Sequence, residues 1–210
     1  MFRKVVLIAC LNSVFLISAC IPPCNYSYKH LYTEKYFTGR SVYDRTIGLC
    51  PVLFEDGPDT TLLSEKKLSE TLKKIRPDLK INSVKKMENA FTGDSGSQLL
   101  ANFYEKLYKS GMVSLQTSES VWSKAQSDYL LVIRVKGGYS LKTFKKRTLK
   151  KIDLETELWN CRNMEVVWRG SVESSCTKGE ISDSHVFSET VKRAFNELPS
   201  AVPSYDDNEW

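Results

Sequence analysis

The chain has 210 residues, 26% of them charged, with a formal net charge of +5 at pH 7; setting aside Arg3 and Lys4, which fall in a leader described below, leaves +3. So weak a basic balance argues against a nucleic-acid protein, which carries a clustered basic face. Ten glycines and seven prolines are ordinary counts, no internal repeat or low-complexity tract is present, and the ~190 residues after the leader suit one domain with a good core.

The opening "MFRKVVLIACLNSVFLISACIPPC" begins with Arg3 and Lys4, runs apolar from Val5 to Leu11 and again from Val14 to Ile17, and ends in Ser18 and Ala19. A charged start, a short apolar run and small residues describe a secretory signal. A membrane-spanning helix needs ~20 apolar residues; this run is shorter, is broken by Asn12, and is stopped by Pro22 and Pro23. Ile17-Ser18-Ala19-Cys20 resembles the bacterial lipobox. That resemblance implies cleavage between Ala19 and Cys20, a diacylglycerol thioether on the Cys20 thiol, and a fatty acyl group such as palmitate on the new amino group. Two or more acyl chains make a firm anchor. Ile21, where an inner-membrane protein of this type would carry Asp, implies the outer membrane, facing the periplasm. The expected organisation is a cleaved signal at 1–19, a lipidated tether at 20–44, one domain at 45–199, and an acidic tail at 200–210.

The tether is rich in proline, tyrosine and polar residues and shows no clear period. "TIGLCPVLFED" then reads as a buried strand closed by the turn residues Gly57 and Pro58. Leu68, Leu72, Ile75 and Leu79 place one apolar face on a helix capped at Ser64 and ended near Pro77. "LKINSV" is a short strand and "SVKKMENAF" a turn of helix or loop. A Gly/Ser/Asp loop, with Asp94, Ser95 or Ser97 as cap, leads into a helix over 98–110 whose inner face is Leu99, Leu100, Phe103 and Leu107. "TSESVWSKAQ" predicts a shorter helix with Val121, Trp122 and Ala125 inward. Three strands follow. "DYLLVIRVKGGYSL" is the first. "TLKKIDLETELWN" has Ile152, Leu154 and Leu158 inward and Asp153, Glu155 and Glu157 outward, and "EVVWRGSVESS" has Val166, Trp168, Gly170 and Val172 on one face. A last helix carries Phe187, Val191, Ala194 and Leu198 inward and stops before Pro199. The order β-α-β-α-(α)-β-β-β-α predicts an α/β (α+β) fold with one mixed sheet, parallel early and an antiparallel meander late.

Besides Cys20, the exported chain keeps Cys24, Cys50, Cys161 and Cys176, which allow three complete pairings that sequence does not choose among. If the last hairpin turns near Asn163, Cys176 lies opposite about residue 150, far along the ladder from Cys161, which disfavours a bond between those two. Cys50 reads as a buried thiol. A bond from Cys24 to the body of the domain stays open, with Cys176 put forward as its partner.

Three stretches carry a wider resemblance. "TIGLCPVLFED", "AQSDYLLVIRV" and "ELWNCRNMEVVWRGSVESS" resemble the opening strand, the helix-to-strand entry and the closing hairpin of the TolB amino-terminal-like and curli-secretion-lipoprotein-like envelope proteins. The resemblance covers about residues 45–198, with Cys50 and Val52 departing from it and the basic stretch 142–151 outside it. It implies a membrane-tethered, periplasm-facing α/β domain whose work is contact with other proteins.

Chemistry-bearing patterns are sparse. His30 and His185 are the two histidines, and no H-x-x-x-H or C-x-x-C pair suggests a metal. "GDSGS" at 93–97 lacks the strand-to-helix setting of a nucleophile elbow. Lys136, Lys142, Lys145, Lys146, Arg147, Lys150 and Lys151 make a basic hairpin end that would meet anionic lipid or an acidic partner, or simply keep the hairpin solvated. Trp159, opposite in face to Leu158, is the expected exposed aromatic anchor. The leading expectation is a non-enzymatic docking or accessory module for another envelope protein, with no cofactor and no nucleic acid. The alternative is an oligomeric outer-membrane secretion or export component, and a hydrolase at 93–97 comes third.

Overall fold

The computed structural model describes residues 24–55, 65–109, 113–142, 148–176 and 183–200. The signal, the cleavage site at Ala19 and Cys20, Ser64, the centre of the basic hairpin (Lys145, Lys146, Arg147) and the acidic tail from residue 201 lie outside them.

In chain order the elements are β1 (Cys24–Thr33), α1 (Gly39–Val42), β2 (Thr46–Leu49), β3 (Leu53–Phe54), α2 (Glu65–Ile75), β4 (Lys80–Asn82), α3 (Val84–Asn89), α4 (Asp94–Lys109), α5 (Leu115–Ala125), β5 (Tyr129–Lys142), β6 (Thr148–Asn160), β7 (Glu165–Cys176) and α6 (Asp183–Asn196). Local chemistry sets many of these bounds. The hydroxyls of Ser83 and Ser114 accept from the Lys86 and Thr117 amides and cap α3 and α5. Gln126 ends α5 in the left-handed region at φ 50°. Pro51 has no amide to give the ladder, so the first predicted strand breaks into β2 and β3. Cys50 bridges that break by donating to the Leu131 carbonyl at 3.0 Å.

The sheet has seven strands in the order β1-β7-β6-β5-β2-β4, with β3 paired to the upper part of β5. β2 is parallel to β4 and β5, β3 is parallel to β5, and β5, β6, β7 and β1 form antiparallel neighbours. This is the mixed α/β sheet expected from the element order. Counting from the hairpin turn, Cys176 stands opposite Lys150.

Helices cover both faces. On one, Leu131, Ile133, Leu154 and Val172 pack under Leu68 and Leu72 of α2 and Phe187, Val191 and Phe195 of α6. On the other, Leu130, Val132 and Trp159 pack under Leu100, Phe103 and Leu107 of α4 and Val121 of α5. Each fully buried Leu or Phe contributes about 1.5–3 kcal/mol. Arg76, only 7% exposed, pins the end of α6. It donates to the carbonyls of Phe195, Leu198 and Pro199 and pairs with Asp78 at 2.8 Å, filling carbonyls that a helix end leaves open. Among the described residues no helix is long and apolar enough to cross a membrane.

Five expectations need correction. From Cys24 onward the supposed tether belongs to the domain: β1 pairs along β7, and Cys24, Phe37 and Val42 are buried. Gly93-Asp-Ser-Gly-Ser97 is not a loop before a helix, because α4 already starts at Asp94. Glu155 and Glu157 point away from the first core but are 6% and 2% exposed, enclosed by long cations. A bulge between Leu158 and Trp159 puts Val167 in the core with Trp168, Gly170 and Val172 and turns Val166 to the other face. Trp159 is buried because α4 and α5 cover its face, whereas Trp122, expected inward, is 37% exposed.

Candidate interaction site

Cys24 and Cys176, the pair put forward for a disulfide, are bonded across a sequence separation of 152 residues. They are the first rung of the β1–β7 ladder, which continues through Tyr26↔Ser174, Tyr28↔Val172 and His30↔Gly170, bulges at Leu31, and resumes at Tyr32↔Arg169. β1 is the outermost strand on this side, and no described strand pairs with its outer edge. At ten residues it is a long edge; the opposite edge, β4, has three. Tyr28, Leu31 and Tyr32 are between 37% and 45% exposed, and Tyr36 just beyond the strand is 78% exposed. A Cβ on Gly170 would come within 2.9 Å of the Tyr28 ring, so glycine there lets that ring lie flat across the ladder. Arg193 of α6 holds the next ring inward, with its guanidinium 5.3 Å from the centre of Tyr26. The strand is therefore fixed from behind, while among the described residues no strand takes its outer backbone groups and Tyr28 and Tyr32 stay partly exposed. An edge with unpaired backbone groups is the kind of surface on which a strand from another chain can be added.

The face of β5–β7 left bare by α4 carries a charge network. Glu157 accepts from Trp159 Nε1 at 2.9 Å and pairs with Arg169 at 2.6 Å and Arg134 at 3.4 Å. Glu155 pairs with Lys136 at 2.5 Å and Arg169 at 3.7 Å. Arg134 also donates to the carbonyls of Leu107 and Tyr108 at the end of α4. Both carboxylates are thus engaged by side chains of the same sheet face.

The remaining candidates do not converge. Ser95 and Ser97 sit on the first turn of α4, across the sheet from α6 and its His185. His30 lies on the β1 edge, 3.2 Å from the Thr33 hydroxyl. Among the described residues no three His, Cys, Asp or Glu side chains group to hold a metal ion. Cys50 and Cys161 are free and buried; burial pushes the Cys50 thiol up to about 12 and the Cys161 thiol well above its ordinary range. A cleft of about 420 Å³ is lined by Trp122, Ser123, Gln126, Ser127 and Asp128. Its one carboxylate, Asp128, is engaged by the Thr46 amide at 3.0 Å and Arg45 at 3.4 Å. The signal missed in the sequence was the alternation of Tyr26, Tyr28 and His30, a strand pattern without a neighbouring partner strand.

No family model and no curated protein sequence matches the chain. Among solved structures, similarity is found to the PelC dodecamer from Paraburkholderia phytofirmans, 13% identical with a TM-score of 0.47 over 84% of this chain and 99% of that one. It is found also to the hypothetical protein CT253 from Chlamydia trachomatis, 11% identical with a TM-score of 0.45 over 73% and 92%. A third is the lipoprotein GNA1162 from Neisseria meningitidis, 15% identical with a TM-score of 0.39 over 72% and 99%. Likeness at this level is a likeness of chain course and says nothing of what this chain binds.

Proposed function

We propose that this chain is an outer-membrane lipoprotein, held by acyl chains on Cys20, whose domain is a non-enzymatic docking module for another envelope protein. The observation that carries this reading is the open β1 edge, ten residues long and lined by Tyr28, Leu31, Tyr32 and Tyr36. Backbone groups on such an edge supply affinity, and the tyrosines supply specific contact area. The lipobox supports the anchor, and the engaged state of Glu155, Glu157 and Asp128 supports a binding role over a catalytic one. A photoreactive residue at Tyr32 or Tyr36 in intact cells should give one discrete adduct with an envelope protein. The same probe at Lys74, exposed on α2, should give none. Equal adducts from both positions would overturn the edge as the docking site. The same open edge would also serve a second copy, as an oligomeric export component requires, and an adduct at twice the chain mass would decide for that reading.

A further inference from the structure

The end of the sheet at which the anchor strand begins is also a basic end. β1 starts at Cys24, which is in register with Cys176; Cys176 is in register with Lys150, and Lys150 with Ser140. Two rows beyond that line, Lys142 faces Thr148. From the Asn25 row outward, the four strands carry residues 139–142, 148–151, 175–176 and 24–25. These include Lys142, Lys150 and Lys151 and no Asp or Glu. Lys151 is paired to Glu173, two rows inward and opposite Asp153, and Asp183 opens α6 after the chain leaves β7. The opposite end is mixed in sign, with Glu34, Lys35, Arg45, Asp128, Arg162 and Glu165.

Covalent reach ties this end to the lipid. Cys20 precedes Cys24 by four residues, a span of at most ~14 Å when fully extended. Strands lie ~4.8 Å apart, so Lys150 in β6 is ~10 Å from Cys24 across the sheet, and Lys142 lies ~7 Å further along the strand direction, beyond Cys24. With the strands along the membrane normal and the four-residue span extended, Lys150 stands ~14 Å and Lys142 ~7 Å from the level of Cys20, within about one to two screening lengths of the lipid headgroups.

We propose that the Cys24 end of the sheet rests on an anionic lipid surface, with Lys142 and Lys150 at the contact, so that β1 rises away from the membrane and presents its edge to the partner. The inference rests on the acyl anchor proposed above. It adds a second, electrostatic attachment that fixes the orientation of the domain, where a lipid alone would leave it free to tilt.

The test uses the full acylated protein reconstituted into vesicles, either neutral phosphatidylcholine or a mixture with phosphatidylglycerol. Amine-reactive labelling of individual lysines is read by mass spectrometry, which also reads the acyl mass on the Cys20 peptide. Labelling at Lys142 and Lys150 is expected to be about fivefold slower on anionic than on neutral vesicles, with Lys74 unchanged. High salt should abolish the difference. If Cys20 is acylated but labelling is the same on both vesicles, the inference falls while the anchor stands. If slowing occurs equally on neutral vesicles, charge recognition is refuted. If Cys20 carries no acyl group, the anchor and this inference fall together. The double variant Lys142→Gln with Lys150→Gln, at the two register positions of the β5–β6 ladder named above, should keep the acyl mass on Cys20 and its attachment to vesicles while labelling of Lys151 becomes the same on anionic and neutral vesicles.

Discussion

Replacing Glu157 with alanine tests the charge network that stiffens the sheet behind the docking edge. Glu157 is 2% exposed and holds three donors: Trp159 Nε1 at 2.9 Å, Arg169 at 2.6 Å and Arg134 at 3.4 Å. Removing one partner of a buried ion pair costs about 3–5 kcal/mol, because the other charge is left uncompensated. Two features pull the expected cost to the lower end. The Arg169 side chain is 38% exposed and has Glu155 as a second partner, and Arg134 keeps the Leu107 and Tyr108 carbonyls. Trp159 is buried and has no such alternative, and losing a bond to a charged acceptor costs about 1.5–3 kcal/mol. The expected loss for Glu157→Ala is therefore about 3 kcal/mol, read from the urea midpoint at constant slope. Glu157→Gln keeps an acceptor for the indole and should lose about half as much. A double-mutant cycle with Arg169→Met should show a coupling of about 1 kcal/mol or more. If Glu157→Ala costs less than 1 kcal/mol, the carboxylate is solvated in solution and the view of Glu157 as a buried acceptor held by Trp159, Arg169 and Arg134 is wrong.

The Cys24–Cys176 bond closes a loop of 152 residues in sequence separation, for which chain entropy sets a ceiling of about 5 kcal/mol. Cys24→Ser or reduction should lower stability by about 2–5 kcal/mol in urea titrations, and an unchanged midpoint would show that the bond does not constrain the unfolded chain. Cys50 and Cys161 should resist a thiol reagent in the native state at pH 8 and react promptly in denaturant, both being buried with raised thiol values; prompt native labelling would contradict their burial. A thiol whose folded value stands above its unfolded one binds its proton more tightly when folded. That stability is complete below the unfolded value of about 8.5 and is lost as pH rises from there toward the Cys50 value of about 12. Denaturation midpoints should accordingly fall across that alkaline range, and less steeply in Cys50→Ala.

The helices were legible because each announces itself locally. Leu68 and Leu72, Phe103 and Leu107, and Phe187 and Val191 repeat at helical spacing, and all are buried. The late hairpins were legible because their turns are short, and the count from Asn163 reaches the observed Cys176–Lys150 register. β1 was not, since its partner lies some 140 residues away and no turn signal marks so distant a pairing. Its Tyr26, Tyr28 and His30 alternation was present but reads equally as a polar lead-in. Glu155 and Glu157 failed for another reason. Alternation reports which side of a strand a residue takes, but not whether arginines and lysines on neighbouring strands will close over it. Trp159 takes the face expected of it, opposite Leu158, but α4 and α5 cover that face, which strand alternation does not report; Trp122 stands at the margin of the α5 inner face beside the buried Val121 and Ala125.

The position of the disulfide has a mechanical consequence. Tension reaching the domain from its amino-terminal side enters at Cys24, the first residue of an edge strand. Without a crosslink, such a pull would be resisted by the β1–β7 ladder alone, the one strand pairing that β1 makes among the described residues. The bond at the first rung diverts the force into β7, a strand flanked by β6 as well as β1. To move Cys24, the pull must then shear an interior strand against many rungs at once. A domain stretched between its point of attachment and a bound partner would keep β1 in place, and with it the surface that the partner holds.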